Sequence, residues 1–233
     1  MARELPGRVL HRDDAVIVLD KPPGVAVHRG AGRGEDLESH FHHLRFGLPD
    51  NPGLAHRLDK DTSGCLALGR TREALGRLGR LFRQNRVGKT YWAVVAGAVG
   101  TDEGLIDAPL ARRSHDRRSW WMKVDEAGDP ARTRFRVLGR ADGIAWLALE
   151  PETGRTHQLR VHCAHMGWPI AGDAVYGGDR ARAAARHMHL HARRLVLPLD
   201  PARPVDATAA APHHMHVLLE ACGWRRDREC QAG

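Results

Sequence analysis

Three short segments gather the side chains that could do chemistry. In AHRLDKDTSG, Ala55 to Gly64, a short apolar run ends in His56 and Arg57, a carboxylate follows at Asp59, and Thr62-Ser63-Gly64 closes a turn. Hydroxyls and a glycine just after an aspartate let a chain wrap tightly around a carboxylate and hydrogen-bond it. The same pattern also suits a plain Asx-type turn between strands. In ETGRTHQLRVHCAH, Glu152 to His165, Arg155, Arg160 and three histidines lie on or beside one short helix. Arg160 follows Thr156 by four residues and His157 by three, spacings that share a helix face. Such an arginine, if partly buried, needs a carboxylate partner; if exposed, it is solvated basic surface. The third segment is HMHLH, where His187, His189 and His191 would point to one side of a strand, as in a metal site. No Asp, Glu or Cys stands at ligand spacing beside them, and chance clustering among 16 histidines is the alternative.

The elements that must position these segments are short. Ala15 to Asp20 reads as a buried strand stopped by Lys21-Pro22-Pro23-Gly24, and Val25 to His28 as a second short strand. Asp36 to Arg45 reads as a helix capped by Asp36. Thr71 is a good N-cap for a helix over Arg72 to Asn85, with Leu75, Leu78, Leu81 and Phe82 as its apolar stripe, Arg72, Arg77, Arg80 and Arg83 on the remainder, and Arg86 just beyond. Lys89 to Ala98 is rich in strand formers. Ala131 to Gly139 and Ile144 to Glu150 flank Asp142-Gly143 and read as a hairpin. Thr156 to His165 reads as a helix ended by Gly167, Met188 to Leu197 as a strand, and His213 to Ala221 as a closing helix. Gly30 to Gly34 and the proline-rich stretch from Leu197 to Pro212 read as loops. This order predicts an α+β fold on a mainly antiparallel sheet with flanking helices and a central active-site cleft.

Composition narrows the class. The chain has 233 residues, 42% hydrophobic and 27% charged, which suits a folded globular protein and argues against wholesale disorder. No apolar run is long enough to span a bilayer, and the first residues lack the apolar core of a signal peptide, so a cytoplasmic protein with no membrane partner is expected. The 36 basic residues against 28 acidic ones give a net charge of +8, and only four of the basic residues are Lys. That excess suits a polyanionic partner, nucleic acid before a membrane. A GC-rich genome, which inflates Arg, Ala, Gly and Pro together, would also produce it. Cys65, Cys163, Cys222 and Cys230 are widely spaced and read as reduced thiols, not as a zinc site.

Together the motifs resemble those of the RluA-type pseudouridine synthases. HRLDKDTSG is similar to that family's HRLDxxTSG signature, and LDKPPGVAVH, Leu19 to His28, to its K-P-x-G-x-x-V-H segment. KTYWAVVAG, Lys89 to Gly97, resembles its tyrosine strand. GRTHQLRVHCAHMGWPIAGDAVYG, Gly154 to Gly177, resembles its R-T-H-Q-x-R-x-H and G-D-x-x-Y-G segments, and LHARRL, Leu190 to Leu195, its last core motif. The resemblance runs through residues 9–220 in the family's order, leaving 1–8 and 221–233 as terminal extensions, and implies a single catalytic domain with no N-terminal RNA-binding domain.

It also implies an isomerase that converts specific uridines to pseudouridine in structured RNA, ribosomal (large-subunit) or transfer, without cofactor or metal and as a monomer. By the match, Asp59 is the catalytic carboxylate, Tyr91 the active-site tyrosine and Arg160 the arginine that pairs with Asp59. Arg57 fills the space left by the flipped nucleotide, Leu195 lines the base pocket, and His56, Thr62, Thr156 and His157 belong to the substrate site. An ionised carboxylate near the sugar can attack the anomeric carbon or remove the neighbouring sugar proton, and both routes stay open. An arginine contact lowers an Asp pKa by about 1–3 units, which would keep a desolvated Asp59 charged. Without the N-terminal domain, substrate choice falls to basic surface at Arg72 to Arg86, Arg112 to Lys123 and Arg180 to Arg194. Two other classes are a metal-dependent hydrolase using the histidine cluster and a catalytically inactive RNA-binding module.

Overall fold

The computed structural model describes residues 2–28, 36–114 and 121–226. The expected loop at Gly30 to Gly34, the middle of the Arg112 to Lys123 loop, and Cys230 lie outside them. The chain forms two compact units, Met1–Lys89 with His191–Ala210, and Thr90–Leu190 with Ala211–Gly233.

The first unit begins with a 3-10 helix, Ala2–Arg8, followed by strands β1 (Val9–Arg12) and β2 (Val16–Lys21). Next come β3 (Gly53–Leu54), β4 (Ser63–Gly69) and helix α1 (Arg72–Arg83). β2 is buried along almost its whole length because β1 pairs with one edge, β4 with the other, and both faces are covered. The Thr71 hydroxyl accepts the Ala74 N–H at 3.1 Å, as an N-cap should. α1 then turns Ala74, Leu78 and Leu81 inward, onto a core that includes Val16, Val18, Cys65 and Val87.

β5 (Gly88–Ala96) carries the chain into the second unit. There β6 (Glu103–Asp107), β9 (Arg132–Ala141) and β10 (Ile144–Pro151) join it in the antiparallel order β5-β10-β9-β6, while β7 (Leu110–Arg112) and β8 (Met122–Val124) pair separately. Helices α2 (Gln158–His165) and α3 (Gly178–Ala184) follow. β11 (Leu190–Leu197) returns to the first unit, pairing parallel with β4 and antiparallel with β12 (Val205–Thr208), and α4 (His216–Ala221) closes the second. The result is a mixed α and β architecture on mostly antiparallel strands, as the order of elements predicts.

Several local expectations change. Asp36 to Arg45 is a 3-10 helix over Glu38–Leu44, not an α-helix; its three histidines contribute little helix propensity, although Asp36 does accept the Ser39 N–H at 2.8 Å. Val25 to His28 makes one isolated bridge, Ala26 to Asp36, not a strand. The stretch from Leu197 to Pro212 contains β12, because the four residues after Pro204 find an edge of β11 to pair with. The closing helix opens as a 3-10 turn, His213–Met215, before α4. Leu5 is fully buried and Trp224 is 6% exposed, so both side chains pack into their units.

Candidate active site

In the first unit, Asp59 starts a tight turn in which its carbonyl accepts the Thr62 N–H at 3.2 Å. The residue is half-buried, Arg57 is exposed, and Thr62 is buried at 2% exposure, so Thr62 shapes the turn from within. Polar contacts anchor the loop on both sides. Upstream, His56 stacks on Phe82 of α1 with ring centroids 4.3 Å apart, and its Nε2 accepts the Ala67 N–H at 2.9 Å. Protonating Nε2 would break that bond. Burial and the nearby Lys89 charge push the His56 pKa down to about 3. Downstream, the Ser63 hydroxyl lies 2.9 Å from His191 Nδ1, and His191 Nε2 lies 3.1 Å from the Ala209 carbonyl. Nε2–H therefore donates to the carbonyl, and Nδ1 accepts from the hydroxyl. Gly64 has φ +103 and packs so closely on β11 that a Cβ there would sit 2.2 Å from Ala192 O.

The third anchor is Lys21, which is fully buried. Its Nζ donates to the carbonyls of Pro22 and Val25, both at 2.8 Å, and of Lys60 at 2.9 Å, tying the Pro-Pro-Gly turn to the loop that bears Asp59. Burial lowers the Lys21 pKa to about 7, while the charges of Asp61, Asp59 and Asp20 oppose the fall. Three carbonyl acceptors require three donors, which only the ammonium form has.

In the second unit, Arg160 on α2 is 7% exposed and has the carboxylate partner its burial demands. Its Nε and Nη2 donate to the two oxygens of Asp173 at 2.7 and 2.8 Å. Backbone N–H groups of Val175 and Tyr176 complete the shell around Asp173. Burial alone would raise the Asp173 pKa, but the Arg160 contacts and those two N–H groups bring it below the usual value. The Arg160 guanidinium also lies 5.0 Å from the Tyr176 ring centroid, and the Tyr176 hydroxyl meets His157 Nδ1 at 2.7 Å.

His157 precedes α2 in a left-handed conformation, φ 54 and ψ 18, a strained geometry for a non-glycine residue. Gln158, 4% exposed, holds that strand-to-helix turn in place. Its carbonyl accepts from Thr153 and from the Arg155 N–H, and its amide donates to Arg132 O and to Thr133. Half-buried Tyr91 lies on β5 opposite Leu149 of β10 and packs on the second unit's core.

The expected site residues thus divide between the units. Asp59, Arg57, His56, Thr62 and Leu195 lie in the first, and Tyr91, Arg160, Thr156 and His157 in the second. Leu195 is 3% exposed among Cys65, Val87 and Leu197, so it offers little surface to a base. The histidine triplet does not form one face of a strand: β11 starts only at Leu190, leaving His187 and His189 before it. Among the described residues no group of three or more His, Cys, Asp or Glu could hold a metal ion. Sequence reasoning missed Lys21, Asp173 and Tyr176 as parts of the site. All three stand in the quoted motifs, but only as letters in a pattern.

Comparison with known proteins fits these contacts into a family. The RNA pseudouridylate synthase family matches residues 15–165. An uncharacterized RNA pseudouridine synthase of Zymomonas mobilis is 40% identical over 89% of this chain and 95% of its own length. The ribosomal large subunit pseudouridine synthase D of Nitrosomonas europaea is 41% identical over 76% of this chain, which corresponds to 51% of that longer protein. Human RNA pseudouridylate synthase domain containing 1 superposes with a TM-score of 0.78 at 29% identity, covering 100% of this chain and 95% of that one. With the motifs, this places the chain in the RNA pseudouridylate synthase family, as an isomerase of the RluA type.

Proposed function

We propose that the protein isomerises uridine to pseudouridine in large-subunit ribosomal RNA, with Asp59 as the catalytic carboxylate. The observation that carries this reading is the triple anchoring of the Asp59 loop by Lys21, His56 and the Ser63–His191 pair. A plain turn needs no such support, whereas a catalytic carboxylate must be held near its working position. Isomerisation neither adds nor removes atoms: the bond from uracil N1 to the sugar breaks, one from C5 forms, a proton leaves C5 and N1 gains one. Either route through Asp59 needs the carboxylate ionised and close to the sugar.

In this reading Arg160, gripped at two points by Asp173, is the arginine that the family's motif assigns to the catalytic carboxylate. Tyr91 offers a ring for the freed uracil, with base stacking worth roughly 1–3 kcal/mol. Arg57, exposed just before the turn, fills the vacated stack and offsets an extrusion cost of a few kcal/mol. His157 and Thr156 border the substrate, and Leu195 backs the site from the core. Both units belong to one catalytic domain, and the protein acts without cofactor as a cytoplasmic monomer. Large-subunit ribosomal RNA is favoured over transfer RNA because relatives about as similar as the Nitrosomonas protein carry that substrate in their names.

The test is to delete the gene and map pseudouridines in ribosomal and transfer RNA. A site lost from large-subunit RNA and restored by the wild-type gene, but not by Asp59→Asn, is the expected result. Restoration by Asp59→Asn removes Asp59 from its role, and a loss confined to transfer RNA reassigns the substrate.

A further inference from the structure

The charge surplus is unevenly placed. The first unit has 19 basic and 13 acidic residues, net +6, whereas the second has 17 and 15, net +2. Much of the difference comes from one stretch: Arg72 to Lys89 contains six basic residues and a single acid, Glu73. Codon bias inflates arginine throughout a chain and does not by itself sort it by place.

The arginines also differ in their partners from place to place. In the second unit, Arg132 and Arg134 meet Glu152, Arg140 meets Asp102, Arg155 meets Asp129 and Arg182 meets Asp179, at 2.6–3.8 Å. On and just after α1, Arg72, Arg77, Arg80, Arg83 and Arg86 are exposed, and none is ion-paired among the described residues. Only Arg77 has a hydrogen bond there, to the Leu199 carbonyl. At about 100° per residue, Arg72, Arg83, Arg80 and Arg77 fall within roughly 140° of the helix surface, opposite the buried Leu78.

That face also contains Gly76 and Gly79. Glycine inside a helix costs about 1 kcal/mol relative to alanine, and no turn or positive φ explains it here. What the glycines do is leave the surface low. Arg80 Nη1 lies 3.9 Å from where a Gly76 Cβ would be, and Arg83 Nη1 lies 3.3 Å from that of Gly79. The guanidinium groups therefore lie back along the helix with their donors over a shallow floor.

α1 is also fixed relative to Asp59. Its Phe82 stacks on His56, and Leu75 packs against Gly69 at the far end of the strand that begins after the Asp59 loop. From this placement we propose that the exposed face of α1 is a docking surface for the phosphodiester backbone of the RNA substrate. Arg72, Arg80 and Arg83 neutralise phosphates, and Gly76 and Gly79 leave room for the Arg80 and Arg83 guanidinium groups to lie along the helix and meet the strand. The proposal rests on the RNA-modifying function given above and adds where the substrate is gripped outside the reacting nucleotide.

The test measures binding of the full chain to transcribed, unmodified large-subunit ribosomal RNA, from about 50 to 200 mM salt, the range in which phosphate contacts reveal themselves. Arg72→Gln, Arg80→Gln and Arg83→Gln combined should weaken binding about tenfold or more at 100 mM salt. They should also lower the log–log salt slope by about two to three, near one per lost phosphate contact. Arg134→Gln, Arg140→Gln and Arg182→Gln combined, which remove charges already paired with carboxylates, should change affinity less than about threefold. Gly76→Leu should weaken binding without lowering the melting temperature, since leucine favours a helix more than glycine does. Equal losses from the two arginine sets, or none from the α1 set, would overturn the proposal; unchanged binding by Gly76→Leu would overturn the role of the glycines. Because the readout is binding, it stands apart from whether Asp59 is the catalytic group.

Discussion

The two units fix their key residues by different physical means. The first holds Asp59 through the chain around it: a buried ammonium on three carbonyls, a neutral histidine on a strand N–H, and a Ser–His pair reaching β11. The second holds Arg160 through the side chain itself, by a two-pronged bond to Asp173 within a further shell of backbone N–H groups. In the proposed function the Asp59 carboxylate changes partners during the reaction, so its loop is the natural thing to pin. An arginine whose task is to stay charged and oriented can be clamped directly.

Cutting the clamp tests this contrast most severely. Asp173→Ala removes the two-pronged bond that buried Arg160 makes to this carboxylate, and breaking a buried pair costs about 3–5 kcal/mol. We expect a large fall in the denaturation midpoint along with loss of activity. A stable and active variant would mean that the clamp is dispensable.

The next largest effect is expected at Lys21. Lys21→Met leaves three carbonyls unpaired at about 1–3 kcal/mol each if they stay dry, less where water replaces the donor. Its pH dependence has a definite sign. The folded pKa lies below the ordinary Lys value, so the cost of burying the ammonium is fully present below about pH 7. That cost fades as pH rises toward 10.5, so wild-type stability should gain over Lys21→Met across that window. Parallel stability profiles for the two proteins would show that Lys21 does not titrate there.

His56→Gln should have a smaller effect, about 1–2 kcal/mol, through the lost hydrogen bond and ring stack. His56 stays neutral when folded but gains a proton when unfolded near its ordinary value of 6.5, so its contribution is lost as pH falls from there toward 3. The variant should show a shallower decline in stability over that range, which thermal melts can resolve. An unchanged slope would remove His56 from the anchors.

How much was legible beforehand follows from distance along the chain. α1 was readable because its cap, its apolar stripe and its basic face all recur within a few residues. The hairpin of β9 and β10 was readable from strand formers on either side of Asp142-Gly143. β12 was not, because four residues after a proline become a strand only when an edge of β11 is there to pair with. The histidine triplet misled for a similar reason. Alternation implies one face only if all three residues are in the strand, and two of them precede it.

The sequence by itself determined the chemistry on offer and the family, since motif residues and their order are properties of the chain. It also showed that an arginine such as Arg160 needs a carboxylate if buried. Only the tertiary structure decided that Asp173 grips Arg160, that Lys21 is a buried hub, and that Ser63 meets His191, 128 residues away. Periodicity reports which side of an element faces the core, whereas a hydrogen-bond partner depends on where a distant segment is brought by packing.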